Sequence, residues 1–400
     1  MKLTRTVMER YCDVVIWALG TARKARYRKG DVVLVSYHLD ALRMAELLYA
    51  RLLHMGLHPV LRLRSTPRVE RVFYGEADAG QLVFVPAGER ELYETLNGAI
   101  YLLSPESLTH LSDVDPGRIG KAAVAAKPLR DILDRREAKG LFGWTLCLVP
   151  TPELARHARL SFEEYTGEVV RACYLDRRDP VQTWKEIQKE ATAIREWLTR
   201  LKARTLHIES RNVDLKIAPG ERRKWVGVSG HNIPSFEIFL SPDWRGTEGV
   251  YFADQPSYRN GNYVKGVRLV FRKGRVKEVR AQQGEEFTVK QLSMDKGAGR
   301  VGEFSLTDKR FSRIGRFMAN TLYDENFGGR HGNCHVAVGS SYSDTFAGNP
   351  SKLDREAKKA LGFNESALHW DLVNTEEKVV TAHLPSGARK VIYEKGMFQY

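Results

Sequence analysis

The stretch DVVLVSYHLDALRMAELLYARLLHMGLHPVLRLR, residues 31–64, decides the fold of the first part of this 400-residue chain. Its first seven positions are almost all apolar, which is typical of a strand buried on both faces of a sheet. Apolar residues then recur at helical spacing from Ala41 to Leu52, Gly56 ends that helix, and a second strand begins at Pro59. This order of strand, helix and strand predicts a parallel sheet.

More apolar segments of strand length follow in the same part of the chain. They are residues 81–86, 99–105 and 143–150. Ser161 and Glu164 form a capping box, which predicts the start of a helix. We therefore expect residues 1–180 to form an N-terminal α/β domain with a largely parallel sheet.

The pattern changes after Pro180, where apolar residues form one stripe of a helix that reaches Lys202. We interpret residues 181–202 as a connecting helix. Beyond it, short strand-like segments separated by glycine turns dominate, with helices predicted near 311–322 and 354–361. The predicted fold class is therefore α/β, in which residues 203–400 form a mainly-β (α+β) catalytic domain.

Composition limits the class of protein. Hydrophobic residues make up 42% of the chain, and no apolar run approaches the ~20 residues that a membrane span needs. Residues 14–20, VVIWALG, follow the charged residues Glu9, Arg10 and Asp13, so residues 1–20 are interpreted as an amphipathic helix rather than a signal peptide. The four cysteines form no CxxC pair, which favours neither a zinc knuckle nor a disulfide framework. We expect a cytoplasmic protein without membrane association.

The net charge of +14 is compatible with a protein that binds nucleic acid. The excess of basic residues is dispersed, however, and only residues 22–29, ARKARYRK, form a dense cluster. A solvated loop explains that cluster more simply. A basic nucleic-acid-binding protein without catalysis therefore stays an alternative function, but nucleic acid is not the expected partner.

The last third of the chain sets ionisable side chains among apolar or glycine neighbours, in the segments PSFEIF, VGEFSL, YDEN, CHVAVGSSY and HWDLV. The ionisable residues of these segments are Glu237, Glu303, Glu325, His335, Tyr342, His369 and Asp371. Four buried carboxylates repel one another, and two divalent cations would neutralise them. Oxygen-rich ligation with some imidazole suits Zn, Co or Mn in a catalytic site. The segments together predict a metal centre.

Each candidate also has a structural explanation. His369 and Asp371 are two positions apart, so on a strand they share one face, either as metal ligands or as the polar face of an edge strand. Glu303 follows Gly302, which allows backbone to approach an ion closely, but a surface turn has the same pattern. Structural alternatives remain for the others: a core histidine for His335, a helix cap for Glu325 and packing under the sheet for Tyr342.

Several motifs in register resemble the thermophilic metalloaminopeptidase family that includes aminopeptidases T and S. The matching segments are GWTLCLVPTP, HNIPSFEIFLSPD, GEEF, DKGAGRVGEFSL, TLYDEN, CHVAVGSSYSD and HWDLV, which span residues 143–373. The resemblance implies metal ligands at six positions: Glu237, Glu303, Glu325, His335, His369 and Asp371. It also implies catalytic roles for Glu303, as the bridging ligand and proton carrier, and for Tyr342, as a hydrogen-bond donor to the oxyanion.

The function that the resemblance implies is a metal-dependent aminopeptidase. Such an enzyme hydrolyses N-terminal residues from peptides with a hydroxide activated by two divalent metal ions (Zn, Co, Mn or Mg), and acts as a homodimer on peptides with a free N-terminus. Relatives on the same scaffold include a non-haem iron ring-cleaving dioxygenase, which needs two histidines and one carboxylate. The presence of Glu237, Glu303 and Glu325 favours two metals over that alternative.

Overall fold

A computed structural model describes residues 3–400, so the first two positions of the predicted N-terminal helix lie outside the described residues. The chain divides into two compact units, and each is described by itself. Unit 1 consists of Met1–Trp184, Ser229–Pro234 and Asn260–Asn262, and unit 2 of Lys185–Val228, Ser235–Arg259 and Tyr263–Tyr400.

Unit 1 contains a five-stranded parallel sheet in the order β2-β1-β3-β4-β8. Its strands are β1 Val32–Tyr37, β2 His58–Leu63, β3 Gly98–Leu103, β4 Gly143–Leu148 and β8 Asn232–Ile233. The parallel pairing of β1 with β2 confirms the β-α-β unit predicted for residues 31–64. Leu34, Ala99 and Phe142 belong to one buried apolar cluster at this sheet. Strands buried in this way consist almost entirely of apolar residues.

Most helices of unit 1 begin at a residue whose side chain accepts a hydrogen bond from the first turn. The helices of this unit are α1 Arg5–Ala22, α2 Leu42–His54, α3 Pro67–Glu76, α4 Glu89–Thr95, α5 Pro116–Ala138, α6 Pro152–His157 and α7 Phe162–Ala172. At the start of α7, the Ser161 hydroxyl accepts from the backbone N–H of Glu164, and the Glu164 carboxylate accepts from the N–H of Ser161, as the capping box predicted. Helix α8, Pro180–Leu201, contains the boundary between the units at Trp184 and Lys185.

Unit 2 is mainly β and contains two larger antiparallel sheets. One has eight strands in the order β14-β13-β10-β6-β5-β18-β19-β20, and the other has five in the order β17-β16-β15-β9-β7. Tyr251 on β10 links the two, because its hydroxyl donates to the carbonyl of Leu372 on β17 at 2.7 Å. The five-stranded sheet carries the candidate site.

The strands of unit 2 are β5 Thr205–Ser210, β6 Asp214–Ala218, β7 Val226–Gly227, β9 Glu237–Leu240, β10 Asp243–Ala253, β11 Ser257–Arg259, β12 Asn262–Val264, β13 Val267–Arg272, β14 Arg275–Arg280, β15 Val301–Thr307, β16 Asn333–Gly339, β17 His369–Asn374, β18 Lys378–His383, β19 Arg389–Glu394 and β20 Met397–Phe398. Its helices are α9 Glu285–Leu292, α10 Thr321–Asp324 and α11 Arg355–Ala360. The mixed α/β fold predicted from the sequence is confirmed.

Two predicted elements are wrong. Residues 81–86 are not a strand: Gln81–Val83 is a short 3-10 helix, and Phe84 is 72% exposed rather than buried in a sheet. The helix expected near 311–322 is reduced to α10, which begins only at Thr321. The backbone before it instead donates to the buried Asp324 carboxylate, from the N–H of Met318 at 2.7 Å. A side chain thus satisfies a backbone group that a helix would have satisfied internally.

All four cysteines are buried, and no disulfide joins them within residues 3–400. Within residues 3–400, no helix combines the length and the apolar character needed to cross a membrane.

Candidate metal centre

One face of the five-stranded antiparallel sheet of unit 2 carries five of the predicted site residues. Residues paired directly across antiparallel strands point to the same face, and alternate residues along a strand return to it. The pairs and rows on this face are Glu303–Ala337–Asp371, Ser305–His335, Thr307–Glu237 and Gly339–His369. The register therefore brings together side chains that lie up to 134 positions apart in sequence, between Glu237 and Asp371.

The opposite face of the same strands is apolar. It includes Phe304, Val336 and Leu372, each at most 1% exposed. Cys334 also lies on this face, because it pairs with Leu306 and is one position from His335. Strand alternation thus separates the buried thiol from the ionisable side chains, and Cys334 packs in the core.

His335 lies at the centre of the ionisable cluster. Its Nε2 is 3.0 Å from Glu303 Oε1, 3.3 Å from Glu237 Oε2 and 3.7 Å from Asp371 Oδ1. Glu237, Glu303 and His335 are all buried, and their nearest ligand atoms lie within 4.8 Å of one another. This spacing suits shared coordination of a cation by three ligand atoms.

His369 faces the same carboxylates from β17. Its Nε2 lies 3.4 Å from Asp371 Oδ1 and 4.0 Å from Glu303 Oε2, while its Nδ1 donates to the carbonyl of Ser340 at 2.9 Å. A histidine that donates from Nδ1 to a backbone carbonyl can present the lone pair of Nε2 to a metal. The backbone thus orients this imidazole for ligation.

Glu325 reaches the cluster from a different element. It is the C-cap of the four-residue helix α10 and is only 7% exposed. Burial, followed by the charges of Glu237 and Asp371, raises the pKa of Glu325 well above its ordinary value. Glu325 thus ends a helix, as the structural alternative predicted, and its carboxylate also interacts electrostatically with the cluster.

The pKa values of the cluster show that its buried carboxylates need positive charge nearby to stay ionised. Burial and the neighbouring charge of Glu303 raise the pKa of Glu237 to about 8. Burial lowers the pKa of each imidazole, but the carboxylates outweigh it and raise the pKa values of His335 and His369 to about 9. Asp371 stays ionised: burial opposes this, but the charge and hydrogen bond of His369 hold its pKa well below the ordinary range. Protons on the imidazoles thus take the place that a cation would fill.

An oxygen of Glu303 that is unpartnered in the described part of the chain is a second observation that favours a divalent metal at this site. Glu303 Oε2 is buried and has no hydrogen-bond partner among residues 3–400, although a buried polar atom normally has one. Its other oxygen lies against His335 and this one points toward His369, so each carboxylate oxygen faces a different imidazole. Oxygen and imidazole donors in this arrangement suit Zn, Co or Mn.

Tyr342 lies at the margin of the cluster. The centroid of its ring is 4.7 Å from that of His369, and the residue as a whole is 44% exposed. Desolvation and the charges of Glu303 and Asp371 raise the pKa of its hydroxyl well above 10. Because nearly half of the residue is exposed, we attribute the raised pKa of Tyr342 to the carboxylate charges more than to desolvation. The hydroxyl therefore stays protonated at neutral pH and is able to donate a hydrogen bond.

Gly302 sets the position of Glu303. The register between β15 and β16 shifts between Val301 and Glu303, which makes Gly302 part of a bulge. A Cβ atom at this position would lie 2.3 Å from the carbonyl oxygen of Ser340 and 2.5 Å from that of Gly339. Only glycine fits this close approach of two backbones.

We expect Gly302→Ala to lower the free energy of unfolding by ~1–3 kcal/mol, because the added methyl group overlaps two carbonyl oxygens that belong to the backbone. Urea unfolding of the purified variant measures this change. Gly315→Ala is the matched control, since a Cβ there meets nothing within 4 Å, and its effect should be within ~0.5 kcal/mol. Equal stabilities of the two variants would contradict this account of the bulge.

The structure adds two residues that sequence reasoning missed. Arg259 donates from Nη1 to the carbonyl of His369 at 2.9 Å, and its charge acts on Asp371. Asn326 directly follows Glu325 and is fully buried. Arg259 lies in a segment with no motif, so nothing in the sequence pointed to it. Asn326 was visible as the last letter of YDEN, but an asparagine at a turn has many ordinary explanations.

Comparison with known proteins gives the context of this site. Aminopeptidase T of Thermus thermophilus is 29% identical over 314 residues, 73% of this chain and 73% of its own. Aminopeptidase PepS of Streptococcus thermophilus is 24% identical over 395 residues, 92% of this chain and 93% of its own. The solved structure of wild-type AmpT from Thermus thermophilus superimposes with a TM-score of 0.81 at 23% identity over the whole of both chains, which shows a shared fold.

The family comparison extends to nearly every residue. The model of the family described as thermophilic metalloprotease matches residues 4–398, and so includes both units and every residue of the ionisable cluster. It favours metal-dependent hydrolysis of peptide bonds over the ring-cleaving oxygenase and the nucleic-acid-binding protein that the sequence left open. The chain belongs to the thermophilic metalloprotease (M29) family.

Proposed function

We propose that this protein is a metal-dependent aminopeptidase that removes N-terminal residues from peptides with the help of two divalent ions. The observation that carries the proposal is the convergence of three carboxylates on His335 Nε2, within 3.0–3.7 Å, on a buried sheet face. The proposed ligands are Glu237, Glu303, Glu325, His335, His369 and Asp371. The names of the relatives, aminopeptidases T and PepS, support the same activity.

Glu303 is the proposed bridging ligand. Its Oε1 lies against His335 and its Oε2 points toward His369, which is the arrangement expected of a carboxylate shared by two sites. Two ions held there would polarise the scissile carbonyl and lower the pKa of a water molecule toward ~7. We also assign to Glu303 the transfer of a proton to the leaving amine, which requires one of its two oxygens to be uncoordinated at that step.

The acidic cluster also accounts for the position of the cut. The α-amine of a peptide is cationic, so a site rich in carboxylates favours the end of the chain over an internal bond. The substrate class is therefore peptides with a free N-terminus.

Tyr342 is the proposed donor to the developing oxyanion. Its protonated hydroxyl belongs to a ring that packs beside His369. We expect Tyr342→Phe to lower kcat by ~10²-fold or more with little change in KM, because the lost contact forms only in the transition state. Steady-state kinetics on an aminoacyl amide measure this. A fall confined to KM would assign Tyr342 to substrate binding instead.

The cellular setting is part of the same proposal. Buried cysteines that form no disulfide among the described residues are compatible with a reducing compartment, and we propose a cytoplasmic enzyme. We also propose that it acts as a homodimer. Light scattering of the purified protein tests the dimer, and a mass of 45.5 kDa in solution would exclude it.

The decisive experiment is a panel of fluorogenic aminoacyl amides assayed after chelation and after addition of Zn, Co, Mn or Mg. We expect chelation to abolish hydrolysis and at least one ion to restore it. N-terminally acetylated versions of the same amides are the matched control and should not be cut. Hydrolysis that survives complete removal of metal would overturn the proposal.

A further inference from the structure

The side chain of Asn326 joins two elements that each carry a carboxylate of the cluster. Its Oδ1 accepts from the backbone N–H of Phe236 at 2.5 Å and from that of Glu237 at 3.1 Å. Its Nδ2 donates to the carbonyl of Leu322, in α10, at 2.9 Å. One buried amide thus connects the start of β9, where Glu237 lies, to the helix that ends at Glu325.

This connection is independent of the sheet itself. Glu237 lies opposite Thr307 in the register, but the Thr307 carbonyl accepts from the hydroxyl of Tyr393 at 2.6 Å, and the N–H of Glu237 is satisfied by Asn326. The backbone of Asn326 is held too, because its N–H donates to Tyr323 and its carbonyl accepts from the hydroxyl of Ser312. The amide therefore has a fixed position.

We propose that Asn326 is a positioning residue that sets the separation of the Glu237 and Glu325 carboxylates, and through it the affinity of the site for divalent cations. The proposal rests on the metal-dependent function proposed above. Groups that hydrogen-bond to metal ligands typically change metal affinity by about 10- to 100-fold when they are removed. Asn326 makes its hydrogen bonds to the backbone of the ligand elements rather than to the ligand atoms.

The chemistry of the amide explains why a neutral side chain with both a donor and an acceptor is required. An aspartate here would keep the acceptor for the two N–H groups, but it would lose the donor to Leu322 and place a charged oxygen beside that carbonyl. It would also add a fifth carboxylate next to four. Serine would keep a weaker acceptor but would not span the distance between the two elements.

The test uses N326D and N326S in the full-length chain, stripped with a chelator and titrated with Zn²⁺ against a chromophoric chelator. We expect Zn²⁺ affinity to fall by about 10- to 100-fold in both variants. The visible absorption spectrum of the Co²⁺-loaded variants should also change, because the ligand geometry changes. Far-UV circular dichroism checks that each variant is folded, and the neutral N326S keeps the test valid if N326D does not fold.

Asn374→Asp is the matched control. Asn374 is also fully buried and donates from Nδ2 to the carbonyl of Phe252 at 2.9 Å, but that bond joins no two ligand-bearing elements. It should lower thermal stability and leave Zn²⁺ affinity and the Co²⁺ spectrum unchanged. Wild-type Zn²⁺ affinity in folded N326D and N326S would overturn the role of Asn326 alone, whereas an unsubstituted protein that binds no divalent ion would overturn the proposed function and this inference with it.

Discussion

Glu303→Gln should lower kcat/KM for an aminoacyl amide by ~10³-fold or more, because it removes the charge of the carboxylate at the centre of the site. Glutamine has the same size, but its amide offers one oxygen where the carboxylate offers two. In the structure each oxygen of Glu303 faces a different imidazole, so one substitution weakens both halves of the cluster. His335→Ala should have an effect of similar size, since its Nε2 is the atom around which three carboxylates gather.

Both variants should remain folded. The apolar face of the sheet is unchanged, and Glu303→Gln removes charge repulsion from a buried cluster. Circular dichroism and gel filtration check this. Glu168→Gln is a suitable control, because Glu168 is also buried, at 6% exposed, but lies in α7 of unit 1. Wild-type rates for Glu303→Gln or His335→Ala would remove that residue from the mechanism.

Strand periodicity made part of this site predictable. His369 and Asp371 are two positions apart, and the structure places both on the face of β17 that carries the ionisable cluster, with Trp370 and Leu372 on the other. This prediction succeeded because the period of two is a local property of an extended chain. The same alternation turns Cys334 away from His335.

The relation between strands was not predictable from local pattern. The pairing of Glu303 with Ala337, and of Ala337 with Asp371, depends on register between segments more than thirty positions apart and on the bulge at Gly302. A shift of one residue would turn Glu303 into the apolar core. The apolar setting of the ionisable residues predicted a metal centre, whereas the assignment of six of them as ligands came from the resemblance to a family.

Irregular segments were the least predictable. The region before Glu325 was expected to be helical, but the backbone N–H of Met318 donates to the Asp324 carboxylate and that of Ile314 to the Ser312 hydroxyl. Such bonds from side chain to backbone follow from the folded arrangement and leave no periodic signal. The contacts of Arg259 and Asn326 were missed for the same reason.

The stabilisation of the protein by metal should grow as the pH rises from about 5.5 to 8.5. Burial and the charge of Glu303 raise the pKa of Glu237 from 4.5 to about 8 in the folded, metal-free protein. The carboxylates outweigh burial and raise the pKa of His335 from 6.5 to about 9. In each case the folded state binds a proton more tightly than the unfolded state does.

The two shifts act in the same direction. A group whose pKa is higher in the folded state stabilises the fold fully below its unfolded pKa and loses that contribution as the pH rises through its folded pKa. Metal-free protein should therefore become less stable between about pH 4.5 and 9. The lowered pKa of Asp371 does not reverse this, because its contribution is already complete above its ordinary value of 3.8.

Metal binding has the opposite dependence, because ligands must lose their protons before they coordinate an ion. The difference in Tm between the protein with saturating Zn²⁺ and the chelated protein should consequently increase with pH. Differential scanning calorimetry at pH 5.5, 7.0 and 8.5 measures it, and His335→Ala, which removes the central proton-binding group, should show a smaller and flatter difference. If the difference in Tm were constant or fell with pH, the protons held on Glu237 and His335 would not be the ones that metal displaces, and the buried cluster would have to be neutralised in another way.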